Sequence, residues 1–259
     1  MAESSPFEKL CEIVARLRAP GGCPWDREQT NESLLSPTIE EAYEVVEAVK
    51  NEVHFREELG DLLLLVVMHA EIAREAGQFN IDNVVTEVTD KLIRRHPHVF
   101  GESAARDAGA VLKQWEAIKH TEKKDATHYL AGLPKALPAL MRAEKAQKKA
   151  ARVNFDWRDL SDVIAKVDEE LEETKTAVAS AENRMIADEI GDLLFAVVNL
   201  ARKCQLEAES LLQAATDKFV ARFNKMEDRL RARGRKLGDA SLEELDAIWE
   251  EIKTMTNDE

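Results

Sequence analysis

One decapeptide, written twice, constrains this chain more than any other feature. Glu58-Leu-Gly-Asp61-Leu-Leu-Leu-Leu-Val-Val recurs as Glu189-Ile-Gly-Asp192-Leu-Leu-Phe-Ala-Val-Val, 131 residues later. The correspondence runs outward in both directions. Upstream, Glu40-Glu41-Ala-Tyr-Glu44 matches Glu169-Glu170-Leu-Glu-Glu173, and Trp25-Asp26 matches Phe155-Asp156. Downstream, Asp90-Lys91-Leu-Ile-Arg-Arg95 answers to Asp217-Lys218-Phe-Val-Ala-Arg222, and Trp115-Glu-Ala-Ile-Lys119 to Trp249-Glu-Glu-Ile-Lys253. Landmarks repeated in one order imply a duplicated unit. The expected domains are therefore 1–130 and 131–259, joined near Leu133-Pro134-Lys-Ala-Leu-Pro138, where two prolines punctuate the chain.

The unit reads as helical. Apolar residues recur at spacings of three and four around Phe7 to Leu17, Ile39 to Val49, Val84 to Ile93 and Ala215 to Phe223, and strand-like alternation is absent. Glycine and proline, 10 and 7 in 259 residues, fall well below the roughly 12% of average usage, too few for the turns of an all-β fold. The expected class is all-α. Pro37 is placed to open the first acidic helix with Ser36 as its N-cap. Leu62 to Met68 and Leu193 to Val198 are apolar on every side, and such helices must be buried on every side. A half of this size can hardly enclose one alone, so bundles completed by a second half or a second subunit are expected.

At 100° per residue, Glu40, Glu41 and Glu44 leave one helical face, as do Glu169, Glu170 and Glu173. Glu58 with Asp61, and Glu189 with Asp192, also share a face. Two antiparallel helices then set ExxE opposite ExxD. Four unpaired carboxylates repel one another and are driven to protonate, whereas a divalent cation relieves them, and an all-oxygen set suits Mg²⁺ or Mn²⁺. A glutamate run on a helix is ordinarily a solvated face; repetition of the whole pattern beside an apolar helix favours a metal site. Lys91 with Arg95, and Lys218 with Arg222, lie four apart and can clamp a phosphate chain. Trp115 with Lys119, and Trp249 with Lys253, share that spacing; the tryptophans either stack on a base or cover the core.

The formal charge of −14 repels phosphate backbones, so no nucleic-acid partner is expected, and an anionic substrate needs a metal to mediate. Cys11, Cys23 and Cys204 form no CxxC pair, which argues against a disulfide framework and a thiolate zinc site and leaves them as small apolar fillers. No apolar leader or membrane-length run is present in the sequence. The expectation is a cytoplasmic protein without a membrane partner. His96-Pro97-His98 reads as a turn ending a helix. A carboxylate-bridged di-iron bundle needs Glu-x-x-His, a tetrapeptide that does not occur here. A non-catalytic helical scaffold remains the alternative.

Both acidic motifs, and above all Asp90-Lys-Leu-Ile-Arg-Arg-His-Pro-His-Val-Phe100, resemble the MazG family of nucleoside triphosphate pyrophosphohydrolases over essentially the whole chain, in its tandem form. The acidic motif alone resembles only the wider all-α NTP pyrophosphohydrolase superfamily. The resemblance implies hydrolysis of a nucleoside triphosphate to monophosphate and pyrophosphate, in nucleotide-pool cleaning or alarmone control, usually by a homodimer. It implies Mg²⁺ on Glu170, Glu173, Glu189 and Asp192, and on Glu41, Glu44, Glu58 and Asp61 if the first site works. Glu169 or Glu40 is then the candidate base. Lys218, Arg222, Trp249 and Lys253 fall at the family's triphosphate and base contacts, with Lys91, Arg95, Trp115 and Lys119 as their first-half counterparts. In the family the second half is credited with hydrolysis.

Overall fold

The computed structural model describes residues 4–49, 52–122 and 128–256, and the chain divides into two compact units, 1–124 and 125–259. The first unit runs α1 (Pro6–Arg18), α2 (Pro24–Glu28), α3 (Leu35–Ala48), α4 (Glu52–Glu75), α5 (Ile81–Arg95), α6 (Pro97–Phe100) and α7 (Ala108–Thr121). The second runs α8 (Ala139–Ala151), α9 (Leu160–Ser180), α10 (Asn183–Lys203), α11 (Ala208–Ala232), a 3-10 turn (Leu237–Asp239) and α12 (Leu242–Thr256). No strand occurs among the described residues. The fold is all-α, and the duplicated landmarks fall on equivalent helices: the acidic motifs on α3 and α9, the apolar decapeptide on α4 and α10.

Helix starts follow local chemistry. Ser5 and Glu8 close a reciprocal capping box at α1, and Asn80 and Asn83 do the same at α5. His96 is the C-cap of α5, and Pro97 begins the single turn of α6, so the His-Pro-His segment does end the helix. The first acidic helix differs from expectation. It starts at Leu35 with Leu34 as its N-cap, so Ser36 is inside and caps nothing. Pro37 is still tolerated because its missing N–H lies in the first turn, where no intrahelical acceptor exists.

In each unit the paired acidic and apolar helices form an antiparallel hairpin. Thr38 Oγ1 lies 3.0 Å from His69 Nε2 at one end of α3–α4, and the Glu44 and Glu58 carboxyls meet at the other. Thr174 Oγ1 donates to the Glu170 and Glu189 carbonyls at 2.7 and 3.3 Å, tying α9 to α10. Val14, Leu34, Val67 and Met68 form the first unit's core. The second has Val198, Ala201 and Ala208 under α8, and a separate group of Met226, Leu230, Ile248 and Ile252 between α11 and α12.

The decapeptide helices show how far one chain alone covers them. Within a single chain they are buried on one face only: Val67 and Val198 are enclosed, while Leu63, Val66, Leu194 and Val197 remain 41, 40, 53 and 45% exposed. Cys204, at the end of α10, is exposed and fills no gap, while Cys11 and Cys23 are half-buried; all three thiols are free.

Candidate metal and nucleotide site

The antiparallel hairpins bring the predicted carboxylates together twice. Oxygen atoms of Glu41, Glu44 and Glu58 lie within 4.8 Å of one another, and so do those of Glu170, Glu173 and Glu189. Asp61 and Asp192, each one turn along from the last member, add their charge to these groups. The electrostatic consequence is seen at Glu41, Glu58 and Glu189. Desolvation first, then the Glu44, Asp61 and Glu58 carboxylates, raise the Glu41 pKa above the ordinary range. Glu58 is raised by desolvation and by Glu44, Glu57 and Asp61, and Glu189 by desolvation and by Glu173, Asp192 and Glu170.

Two atomic details bear on what such a cluster holds. Glu41 Oε2 is buried and has no hydrogen-bond partner, a costly state for a carboxylate oxygen unless a cation completes it. In the second unit, the buried Glu170 faces Lys166 Nζ at 2.8 Å, and the same ammonium lies 2.9 Å from Glu169; both carboxylates hold the lysine pKa up. The residues fit a hard divalent cation: in both units the donors are convergent carboxylate oxygens, and the first unit adds an unmet acceptor at Glu41. Glu40 and Glu169 are exposed and stand beside the clusters rather than in them.

The predicted cations and tryptophans sit on the following helix pair of each unit. In the first, Arg95 Nη2 lies 2.5 Å and Arg94 Nε 2.7 Å from the Glu122 carboxylate. The Arg95 and then the Arg94 hydrogen bonds hold the Glu122 pKa down at about 2. Arg95 and Lys119 both stand over the Trp115 ring, 5.2 and 4.5 Å from its centroid, and Lys91 is half-buried nearby on α5. In the second, Trp249 packs on the α11–α12 core and lies 5.2 Å from the Phe219 ring. Lys253 pairs with Glu250 at 2.7 Å, Arg222 is half-buried and Lys218 exposed on α11. Trp249 is thus partly buried against the core.

Sequence reasoning passed over several residues that shape the second unit. A cavity of about 290 Å³ opens beside Glu170 and Asp192, walled by Phe155, Trp157 and Phe195. Asp156, left without a role above, ion-pairs with Arg202 at 2.5 Å and Lys203 at 3.6 Å. Burial opposes ionisation there, but the Arg202 and Lys203 contacts outweigh it and lower the Asp156 pKa. Gln147 and Asn199 are buried polar residues on the same wall. Their signal was available: aligned by the repeat, Gln147 and Asn199 stand where the first half has Leu17 and Met68, and Lys166 where it has Pro37.

Comparison with known proteins agrees with this anatomy. The sequence matches the MazG nucleotide pyrophosphohydrolase domain twice, over residues 29–100 and 158–229, ranges that contain the two carboxylate clusters. It is 47% identical to the nucleoside triphosphate pyrophosphohydrolase/pyrophosphatase MazG of Thermotoga maritima over 250 residues, 95% of each chain. It is 43% identical to the nucleoside triphosphate pyrophosphohydrolase of Escherichia coli over 254 residues, 95% of this chain and 97% of that one. A Mycobacterium tuberculosis nucleoside triphosphate pyrophosphohydrolase is 37% identical over 197 residues, 71% of this chain and 59% of its own. With two domain matches on the duplicated halves and relatives aligned nearly end to end, the chain belongs to the MazG family.

Proposed function

We propose that this chain hydrolyses nucleoside triphosphates to nucleoside monophosphate and pyrophosphate, with Mg²⁺ or Mn²⁺ as its cation, at the second unit's cluster. The observation that carries the reading is the convergence of Glu170, Glu173 and Glu189 within 4.8 Å, in a chain whose relatives bear that activity in their names. Glu170, Glu173, Glu189 and Asp192 hold the cation, which when bound neutralises phosphate charge and polarises the phosphoryl oxygens. Glu169, beside the cluster, takes the proton of the attacking water as its oxygen bonds to the α-phosphorus and the bridge to the β-phosphate breaks. Lys218, Arg222 and Lys253 offset the charge of the departing pyrophosphate, over the surface that Trp249 packs. The cellular role that follows is removal of surplus nucleotides or lowering of an alarmone.

The first unit, with Glu41, Glu44, Glu58 and Asp61, is a cation-holding structural or regulatory copy. Of its Lys91–Arg95 pair, Arg95 shares the Glu122 carboxylate with Arg94. The halves about 1–130 and 131–259 act as two such domains, and the whole works as a cytoplasmic homodimer. Incubation with each ribo- and deoxyribonucleoside triphosphate and Mg²⁺, with products separated by chromatography, is the test. Monophosphate and pyrophosphate are expected, and chelator abolishes them. Release of orthophosphate and a diphosphate removes the chain from this reaction class, and no turnover of any nucleotide leaves it a scaffold.

A further inference from the structure

Two arginines of the first unit share a single carboxylate. Arg94 and Arg95 stand in the last turn of α5, and both reach Glu122, Arg94 through Nε at 2.7 Å and Arg95 through Nη2 at 2.5 Å. Arg95 Nε donates to the same Glu122 oxygen at 3.1 Å, so this guanidinium grips it as a fork. The Arg95 and Glu122 side chains are 14 and 19% exposed, which shelters the pair from solvent screening. Arg95 also stands over the Trp115 ring, where Lys119 joins it. Positive groups thus gather about one ring, and Glu122 is the carboxylate to which both arginines turn.

Glu122 is not placed there by its own helix. α7 ends at Thr121, and the C-terminal end of a helix carries partial negative charge, which disfavours a carboxylate. The Arg95 and then the Arg94 hydrogen bonds hold it instead, and keep it ionised with a pKa of about 2. A guanidinium grips carboxylates and phosphates with the same planar geometry. The place that Glu122 fills therefore fits a phosphoryl group, which brings more charge and more acceptor oxygens to it. Aligned by the repeat, Arg95 answers to Arg222, but Arg94 answers to Ala221 and Glu122 to Thr256. The set of two arginines and a carboxylate thus occurs in the first half alone, and the duplicated fold does not require it.

We infer that Arg94 and Arg95 form a pyrophosphoryl-binding seat in the first unit, and that Glu122 closes it as an internal competitor. The inference rests on the pyrophosphohydrolase reading for its ligand class. It goes beyond that reading by giving the first unit a site of its own and a reason for the lack of turnover proposed there. Glu122 follows the last residue of α7, so rotation of its side chain opens the seat and no helix has to unwind. The ligand is a polyphosphate anion, free or as the tail of a nucleotide.

Glu122→Ala in the full-length protein separates this role from a structural one. Calorimetric titration with imidodiphosphate, a pyrophosphate that resists hydrolysis, in the presence of Mg²⁺ is expected to show one more equivalent bound per chain than in the wild type. Adding Arg95→Ala to Glu122→Ala removes that equivalent again. A brace between α5 and α7 with no other role predicts a lower melting temperature and no gain in binding. Glu122→Gln, which keeps the size and an acceptor but loses the charge, is held to the same criterion if the alanine variant does not fold. A folded variant with wild-type stoichiometry overturns the inference, as does a wild type that already binds the further equivalent. Parallel titration with the α,β-methylene analogue of ATP distinguishes the sources: competition between the two ligands for the opened seat assigns it to nucleotide tails, and imidodiphosphate alone assigns it to free pyrophosphate. The pyrophosphohydrolase reading stands or falls separately, on wild-type turnover of nucleoside triphosphates.

Discussion

Removing a carboxylate from a cation cluster does more than subtract one contact, because the ion shifts toward the remaining ligands and its substrate moves with it. Glu189→Ala or Asp192→Ala is therefore expected to reduce pyrophosphate release by more than about a hundredfold, beyond the loss from cutting a ligand's supporting hydrogen bond. Glu58→Ala or Asp61→Ala should leave most of it. Comparable losses from both pairs, in variants with native circular dichroism, would show that both halves turn over. The raised pKa values of Glu41, Glu58 and Glu189 carry a sign. The folded protein holds protons that the unfolded chain has released, so this contribution favours the folded state at acid pH and is lost as pH climbs through the raised values. A cation must displace those protons. Saturating Mn²⁺ should thus raise the melting temperature more at about pH 7 than at about pH 5; an equal rise at both would deny the cation these carboxylates. Cluster membership was legible in the sequence because i, i+3 spacing on a helix is a geometric statement about direction. Lys166, Gln147 and Asn199 were not, since a single polar residue on a helix has no periodicity, and only packing decides whether it faces water or a cavity.

Helices were legible at the scale of elements for the same reason: the period of their apolar residues is set by the backbone. Their ends depend on single caps, and Pro37 misled about α3 because a proline is equally acceptable at the first or third helical position. What covers the decapeptide helices was not legible, since composition around a helix says what must be covered but not by which surface. The separate core between α11 and α12 gives an element-level prediction. Leu230 is fully enclosed by Met226, Ile248 and Ile252, so Leu230→Ala is expected to cost about 2–5 kcal/mol through lost contact and an unfilled cavity. Chemical denaturation measures it. Because the carboxylates stand on α9 and α10, the variant's Mn²⁺ affinity should be unchanged below its unfolding transition; a parallel loss of affinity would mean that the two helix pairs are not independent supports.

The whole chain exposes 18909 Å², while two separate globular units of half its mass would together expose about 14,000 Å². The exposed surface includes large apolar side chains, among them Leu194 at 53% and Val197 at 45% on the helix that carries Asp192. A second copy of the chain laid against these faces would cover them, as the proposed homodimer requires. Sedimentation at micromolar concentration should give twice 29.1 kDa, and Leu194→Lys, which puts a charge in that seam, should give the single mass. A wild-type species at 29.1 kDa counts against the dimer. The short antiparallel hairpins have a consequence in time as well as in space. Glu173 and Glu189 are near neighbours along the chain, so their meeting closes only a small loop, at little entropic cost. The acid cluster can assemble during folding before α11 and α12 dock, so a cation held there would be a ligand of the growing nucleus as well as of the finished protein.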